Sequence, residues 1–273
     1  MATTQLTRGG GLPLAVLFFI FLVSGASAQL ERTGTASWVG APDGAGNENG
    51  GCGFGDTITV PPFSALVTGF GNDDECGMCY QQVRCTGHPA CWSMGVRVTV
   101  TDSCRSALCA EPNNQHFDMA GHAFGAMAKL GRAAELRAAG NVTVEFEAED
   151  CHYTPPSNLP PNAKFPFFKV DPSATKDNFS VTLLYTEGWA SWKEMRVLLA
   201  NAGNRIFSTM THSHGATWKY VGRYNLSSTV SPPMSMMVYT SSLSDPKAPT
   251  KVVSMTGVIP QGWQPGAVYF RLL

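Results

Sequence analysis

The chain has 273 residues, room for two modest domains and a leader. Only 14% of residues are charged and the formal net charge is −1, so there is no basic footprint for nucleic acid. Its 28 glycines and 18 prolines favour short strands and turns over long helices.

At the N-terminus, Arg8 precedes the apolar run Gly11–Val23, and Ala26 and Ala28 occupy an A-x-A exit. Residues 1–28 read as a secretory signal peptide cleaved after Ala28, with membrane contact only through that leader. Residues 29–50 are polar and Gly-rich, carry turn signals at Asp43-Gly44 and Asn49-Gly50-Gly51, and read as loop. Trp38 stands alone there, either a core plug or a face for a sugar.

Strands are predicted over Tyr80–Cys85 and Gly95–Thr101, the second with Val96, Val98 and Val100 on one face and running into Asp102. A carboxylate at such a strand end suits a site, and suits equally a turn Asp bonding its own backbone. In Gln115–Lys129, QHFDMAGHAFGAMAK, the run of Ala and Gly predicts a short, closely packed helix with Asp118 at its mouth. Asp118 is then either a helix cap or a groove acid tuned by the apolar wall beside it. Ala133–Ala139 predicts a second short helix ended by Gly140, and Val142–Ala148 a strand.

Eight cysteines, Cys52, Cys76, Cys79, Cys85, Cys91, Cys104, Cys109 and Cys151, all precede residue 152. After a signal peptide, an even number reads as disulfides. Loops 85–91 and 104–109 suit local pairs, while Cys76 and Cys79 suit distant partners such as Cys52 and Cys151; 105 connectivities are open. Cys76-x-x-Cys79 lacks the second pair of ligands that a zinc site needs, so no metal and no cofactor is expected.

Residues 152–166 hold five prolines and read as a stiff linker between domains. Residues 167–273 contain no cysteine and seven strand candidates: 179–186, 195–200, 205–210, 217–224, 235–240, 251–256 and 267–272. That spacing predicts a β-sandwich. Of its tryptophans, Trp263 reads as a core plug, and Trp189 and Trp192 are unassigned. Sequons at Asn141, Asn178 and Asn225 are candidate glycan sites.

By these motifs the chain resembles the expansins, most closely the β-expansins of plant cell walls, including grass-pollen allergens. They are SWVG (37–40), GAGNENGGCGFG (44–55), PPFS (61–64), CGMC (76–79), VTD (100–102), HFDMAGHAFGAMA (116–128), GATWKY (215–220) and VIPQGWQPGAVY (258–269). The resemblance implies an all-β molecule: a six-stranded double-psi β-barrel (29–151) related to family-45 glycoside hydrolases, then an immunoglobulin-like β-sandwich (167–273) that binds wall polysaccharide. It also implies the bridges Cys52–Cys76, Cys79–Cys151 and Cys85–Cys91. Cys104 and Cys109 lie in an apparent insertion and are paired with each other.

In the implied groove Asp118 takes the hydrolase's general-acid position, and Asp102 that of a second acid. Inverting hydrolysis needs an acid and a base about 6.5–9.5 Å apart, and the family resembles the hydrolase without its base. The implied action is non-hydrolytic loosening of contacts between wall polymers, by a secreted, monomeric, non-enzymatic protein. Ser37, Trp38, Glu48 and His116 are the candidate polysaccharide contacts of the first domain, and Phe179, His214, Trp218 and Lys219 those of the second. The partners expected are cellulose, arabinoxylan or another matrix glycan.

The chain departs from the family pattern at Val39, Glu48, Phe179 and His214, where Tyr, Asp, Tyr and Trp are usual. Two rival functions stand beside the first: a family-45-like hydrolase, on Asp118 and Asp102, and, on the altered Val39, Glu48 and His214, a wall-binding protein that no longer loosens walls.

Overall fold

The structure, a computed structural model, describes residues 32–44, 50–55, 64–68, 75–103, 109, 115–149, 151, 160–175, 177–185, 191–201, 204–222, 233–241 and 250–272. The leader 1–28, Glu48, Cys104, Trp189 and Asn225 lie outside the described residues, as does most of the predicted linker. No helix among the described residues is long and apolar enough to cross a membrane.

The first domain is a closed barrel of six strands: β1 (Arg32–Val39), β2 (Ser64–Thr68), β3 (Cys79–Thr86), β4 (Val96–Val100), β5 (His116–Ala120) and β6 (Val142–Glu149). Their order around the barrel is β1-β5-β2-β4-β3-β6, with β1–β5 and β2–β4 parallel. Closure leaves no open sheet edge. Tyr80, Phe117 and Phe146 fill the interior edge to face, with ring centroids 4.8–5.8 Å apart.

Two sequence expectations are corrected here. The polar stretch read as loop contains β1, whose Thr, Gly and Ser residues hide the alternation; it is a strand because β5 and β6 pair with it on both sides. Gly34 permits the close approach, since a Cβ there would strike the Gln115 carbonyl. Further on, the helix predicted within Gln115–Lys129 is strand β5 followed by a short helix α1 (Gly121–Ala126). The break falls at Gly121, where a Cβ would collide with the Ala41 and Pro42 carbonyls. Asp118 is therefore not a helix cap; the cap position is Ala120, which caps with no side chain. The second helix, α2 (Ala133–Ala139), ends at Gly140 with φ 75°, as the sequence predicts.

Three bridges staple this domain, Cys52–Cys76, Cys79–Cys151 and Cys85–Cys91. Cys109 is also disulfide-bonded; its predicted partner Cys104 lies outside the described residues.

The second domain is a β-sandwich of eight strands: β7 (Ala163–Val170), β8 (Ser180–Leu184), β9 (Ser191–Asn201), β10 (Asn204–His214), β11 (Thr217–Tyr220), β12 (Met234–Ser241), β13 (Lys251–Ile259) and β14 (Val268–Leu272). Strand order is β13-β12-β9-β10-β11-β8-β7-β14. β10 changes partner along its length, pairing with β9 up to Thr209 and with β11 from Met210. β7 is an eighth strand and starts inside the predicted linker. Its Pro166 sits outside the β8 ladder and opposite an irregularity in β14, where a missing N–H is tolerated.

The loop 50–55 joins the domains. The Ala216 N–H donates to the Cys52 carbonyl at 3.1 Å, and Lys169 Nζ to the Phe54 carbonyl at 3.4 Å. A Cβ on Gly53 would come within 3.2 Å of the Thr217 hydroxyl, which is itself 2.8 Å from that of Thr182.

Candidate functional site

The parallel register of β1 and β5 sets Thr35 beside His116 and Ser37 beside Asp118. These four share one face, opposite the barrel-filling Phe117 and Met119. His116 is fully buried, while the Asp118 side chain keeps 13% exposure and is the group that reaches solvent.

The protons can be assigned. Ser37 has one hydroxyl hydrogen and gives it to Asp118 Oδ1. Ser37 Oγ lies 2.9 Å from His116 Nε2, so the ring nitrogen must be the donor in that contact. The same Nε2 is 3.3 Å from Asp118 Oδ1, and Thr35 Oγ1 holds the far nitrogen, Nδ1, at 2.7 Å. The one Nε2 hydrogen is shared between Ser37 Oγ and Asp118 Oδ1, so the carboxylate accepts hydrogen bonds from both neighbours. The hydrogen bond from His116 holds its pKa below the ordinary Asp value, with Ser37 adding to the effect against the opposing influence of burial.

Trp38 is half-buried against the barrel core. Its indole N–H donates to the Arg137 carbonyl at 3.0 Å, and Arg137 Nε donates to the Gly121 carbonyl at 3.0 Å. Helix α2 therefore anchors both the Trp38 ring and the start of α1. One edge of the indole is pinned to α2, and the residue as a whole stays partly exposed.

Asp102 is placed differently. Its Oδ1 accepts the N–H of Ser103 at 2.7 Å and the N–H of Gly51. It is a turn carboxylate that clasps loop 50–55, the segment touching the second domain.

In the second domain the predicted contacts separate. His214 and Lys219 are exposed. Phe179 is 1% exposed and packs on Trp263 with ring centroids 5.1 Å apart, so the expectation of a stacking platform at Phe179 is corrected: it faces the sandwich core. Trp218 is 6% exposed, lies 5.1 Å from the His212 ring, and is corrected on the same ground. Alternation along β11 turns Trp218 inward and Lys219 outward. Trp263 is a buried plug, 2% exposed, as the sequence suggested.

Sequence reading missed Thr35, Arg137 and the Thr182–Thr217 pair. Thr35 is recoverable from the two-residue spacing Thr35-x-Ser37 once β1 is known to lie beside His116-x-Asp118. Arg137 holds Trp38 through its backbone carbonyl, a role with no sequence signal, and holds Gly121 through its side chain.

Comparison with known proteins agrees with this architecture. A family profile described as "Lytic transglycolase" matches residues 65–146, the body of the barrel. A putative expansin-B2 of Arabidopsis thaliana is 34% identical over 239 residues, covering 86% of this chain and 79% of the relative. Expansin-B4 of the same plant is 34% identical over 245 residues, covering 87% and 85%. Among solved structures, an expansin variant of Clavibacter michiganensis in complex with cellohexaose shares the fold, with a TM-score of 0.56 at 16% identity over 89% of this chain and 96% of that one. The extent of the match to the plant relatives places this chain in the expansin family, as a β-expansin.

Proposed function

We propose that this protein loosens plant cell walls without hydrolysis, its barrel groove holding a glycan at Asp118 and disrupting non-covalent contacts between wall polysaccharides. The observation that carries this reading is the wiring of Asp118. A general acid has its pKa raised so that it holds a proton to give. Asp118 instead accepts from Ser37 and His116 and is held ionised, which suits an acceptor for sugar hydroxyls. Asp102, bound to two backbone N–H groups, is committed to the loop and does not serve as a free base.

The groove contacts of the reading are Asp118, Ser37, Trp38 and His116, the last acting from beneath; Glu48 lies outside the described residues. In the second domain His214 and Lys219 remain as candidate contacts. The cellohexaose bound by the structural neighbour from Clavibacter michiganensis supports a glucan-type ligand, with cellulose or a matrix glycan such as arabinoxylan as the partner. Action in the wall after secretion belongs to the same reading and is supported by the disulfides. Asn141, exposed on the barrel, is the sequon best placed for a glycan; Asn178 is half-buried beside the core.

A lytic reading has one observation in its favour, the family profile over the barrel. The reading proposed here is tested by wall extension under load beside pull-down on insoluble polysaccharide. Extension with binding is expected; binding without extension would leave only a wall-binding protein.

A further inference from the structure

Cys109 belongs to the apparent insertion between VTD and HFD, and the fold brings it to the acid cluster. Its Sγ, a ring nitrogen of His116 and a carboxylate oxygen of Asp118 all lie within 4.8 Å of one another. In the structure this sulfur is part of a disulfide, and only a free thiolate is a good metal ligand. Zn–S distances of about 2.3 Å and Zn–N or Zn–O distances of about 2.0–2.2 Å put tetrahedral donors roughly 3.5 Å apart. His116 Nε2 and Asp118 Oδ1 are already 3.3 Å apart, so closing the cluster to that size is chiefly an inward movement of the Cys109 sulfur. Binding through Nε2 requires the other tautomer of His116: the ring hydrogen leaves Nε2 and sits on Nδ1, where it donates to Thr35 Oγ1 at 2.7 Å, while Nε2 faces Asp118 with its lone pair free for the metal.

We propose that reduction of the Cys109 disulfide converts this cluster into a binding site for a zinc-class divalent cation, held by the Cys109 thiolate, His116 Nε2 and Asp118, with the fourth position open to water. The reductant is a thiol pair. Two R–SH give up two electrons and two protons, form R–S–S–R, and leave two protein thiols; Cys109 then loses its proton to solvent as the metal binds. Access favours this bridge over those closed by Cys52–Cys76 and Cys79–Cys151, and matches that of Cys85–Cys91, whose Cys91 is also half-buried. Cys52, Cys76, Cys79 and Cys151 are at most 2% exposed, whereas Cys109 is half-buried. A bound cation occupies Asp118, so the reduced, loaded protein no longer offers that carboxylate to a glycan. Only this last consequence rests on the loosening function.

The test uses the mature chain with Cys104→Ala, which removes the predicted partner and leaves the Cys109 thiol without any reductant. It is titrated with Co2+, then with Zn2+. One Co2+ per chain is expected, with sulfur-to-cobalt charge-transfer absorption that Zn2+ displaces. The double variant Cys104→Ala/Cys109→Ala should lose the signal, and Asp118→Asn on the Cys104→Ala background should weaken binding at least about tenfold. If Cys104→Ala does not fold, the parent chain briefly treated with a dithiol and desalted takes its place. No charge-transfer band in the folded thiol form, or equal Zn2+ retention by the double variant, would overturn the proposal.

Discussion

Three residues make up the acid cluster: Asp118, and the Ser37 and His116 side chains that donate to it. A carboxyl with a depressed pKa is ionised above its ordinary value of about 3.9, and the stability gained from its hydrogen bonds is lost as pH falls through the lower, folded-state value. Ser37→Ala removes one donor, so the Asp118 pKa should move upward, read by carboxyl NMR titration; an unchanged value would mean that Ser37 does not hold the charge. Asp118→Asn keeps the size and one acceptor oxygen but removes the charge. Wall extension should then fall by about tenfold or more, because charge-assisted bonds are roughly twice as strong as neutral ones, while polysaccharide pull-down, which in the proposed function rests also on the second domain, stays close to the parent. Equal extension by variant and parent would remove Asp118 from the mechanism. The HFD triplet made this acid visible in the sequence. Its partners were harder to see, since Thr35 and Ser37 meet His116 and Asp118 only through a parallel register 81 residues apart in the chain.

At the level of elements, the sequence was most legible where side chains alternate cleanly, as in β4 with Val96, Val98 and Val100 and in β6 with Val142, Val144 and Phe146. It was least legible where the barrel replaces apolar patterning with close backbone approach. β1 has no large aliphatic residue before Trp38 and is made a strand by its neighbours, and β5 carries a small-residue run that mimics a helix until Gly121 turns the chain. Phe179 shows the same limit: an aromatic beside an exposed motif is indistinguishable from a platform until its packing on Trp263 is known. Phe179→Ala should therefore cost about 3–5 kcal/mol of stability in urea unfolding. Polysaccharide retention per folded molecule should hold. A stable variant that no longer binds would restore Phe179 to the surface.

Across the whole molecule, covalent and non-covalent stabilisation are divided between the two domains. All three described bridges lie in the barrel, and the sandwich depends on its packed interior of Met, Val, Leu and aromatic side chains. Full reduction should unfold the barrel at a lower denaturant concentration than the sandwich, a separation that hydrogen exchange can assign domain by domain. Loss of both together would mean that the 50–55 loop, through Cys52 and Phe54, couples them into one cooperative unit. The division was legible from cysteine positions alone. The coupling was not, because Thr182, Thr217 and Lys169 read as ordinary strand residues until the loop is seen against them.

In the proposed function an ionised acid grips glycan without cutting it. The most direct measurement is the creep of heat-killed plant walls under constant load with the purified mature protein, from about pH 4.5 to 7, with reducing sugar assayed in the same bath. Creep without sugar release, at pH values where Asp118 stays charged, is the predicted result. Sugar release that tracks creep and disappears in Asp118→Asn would contradict it, and would make Asp118 a proton donor after all.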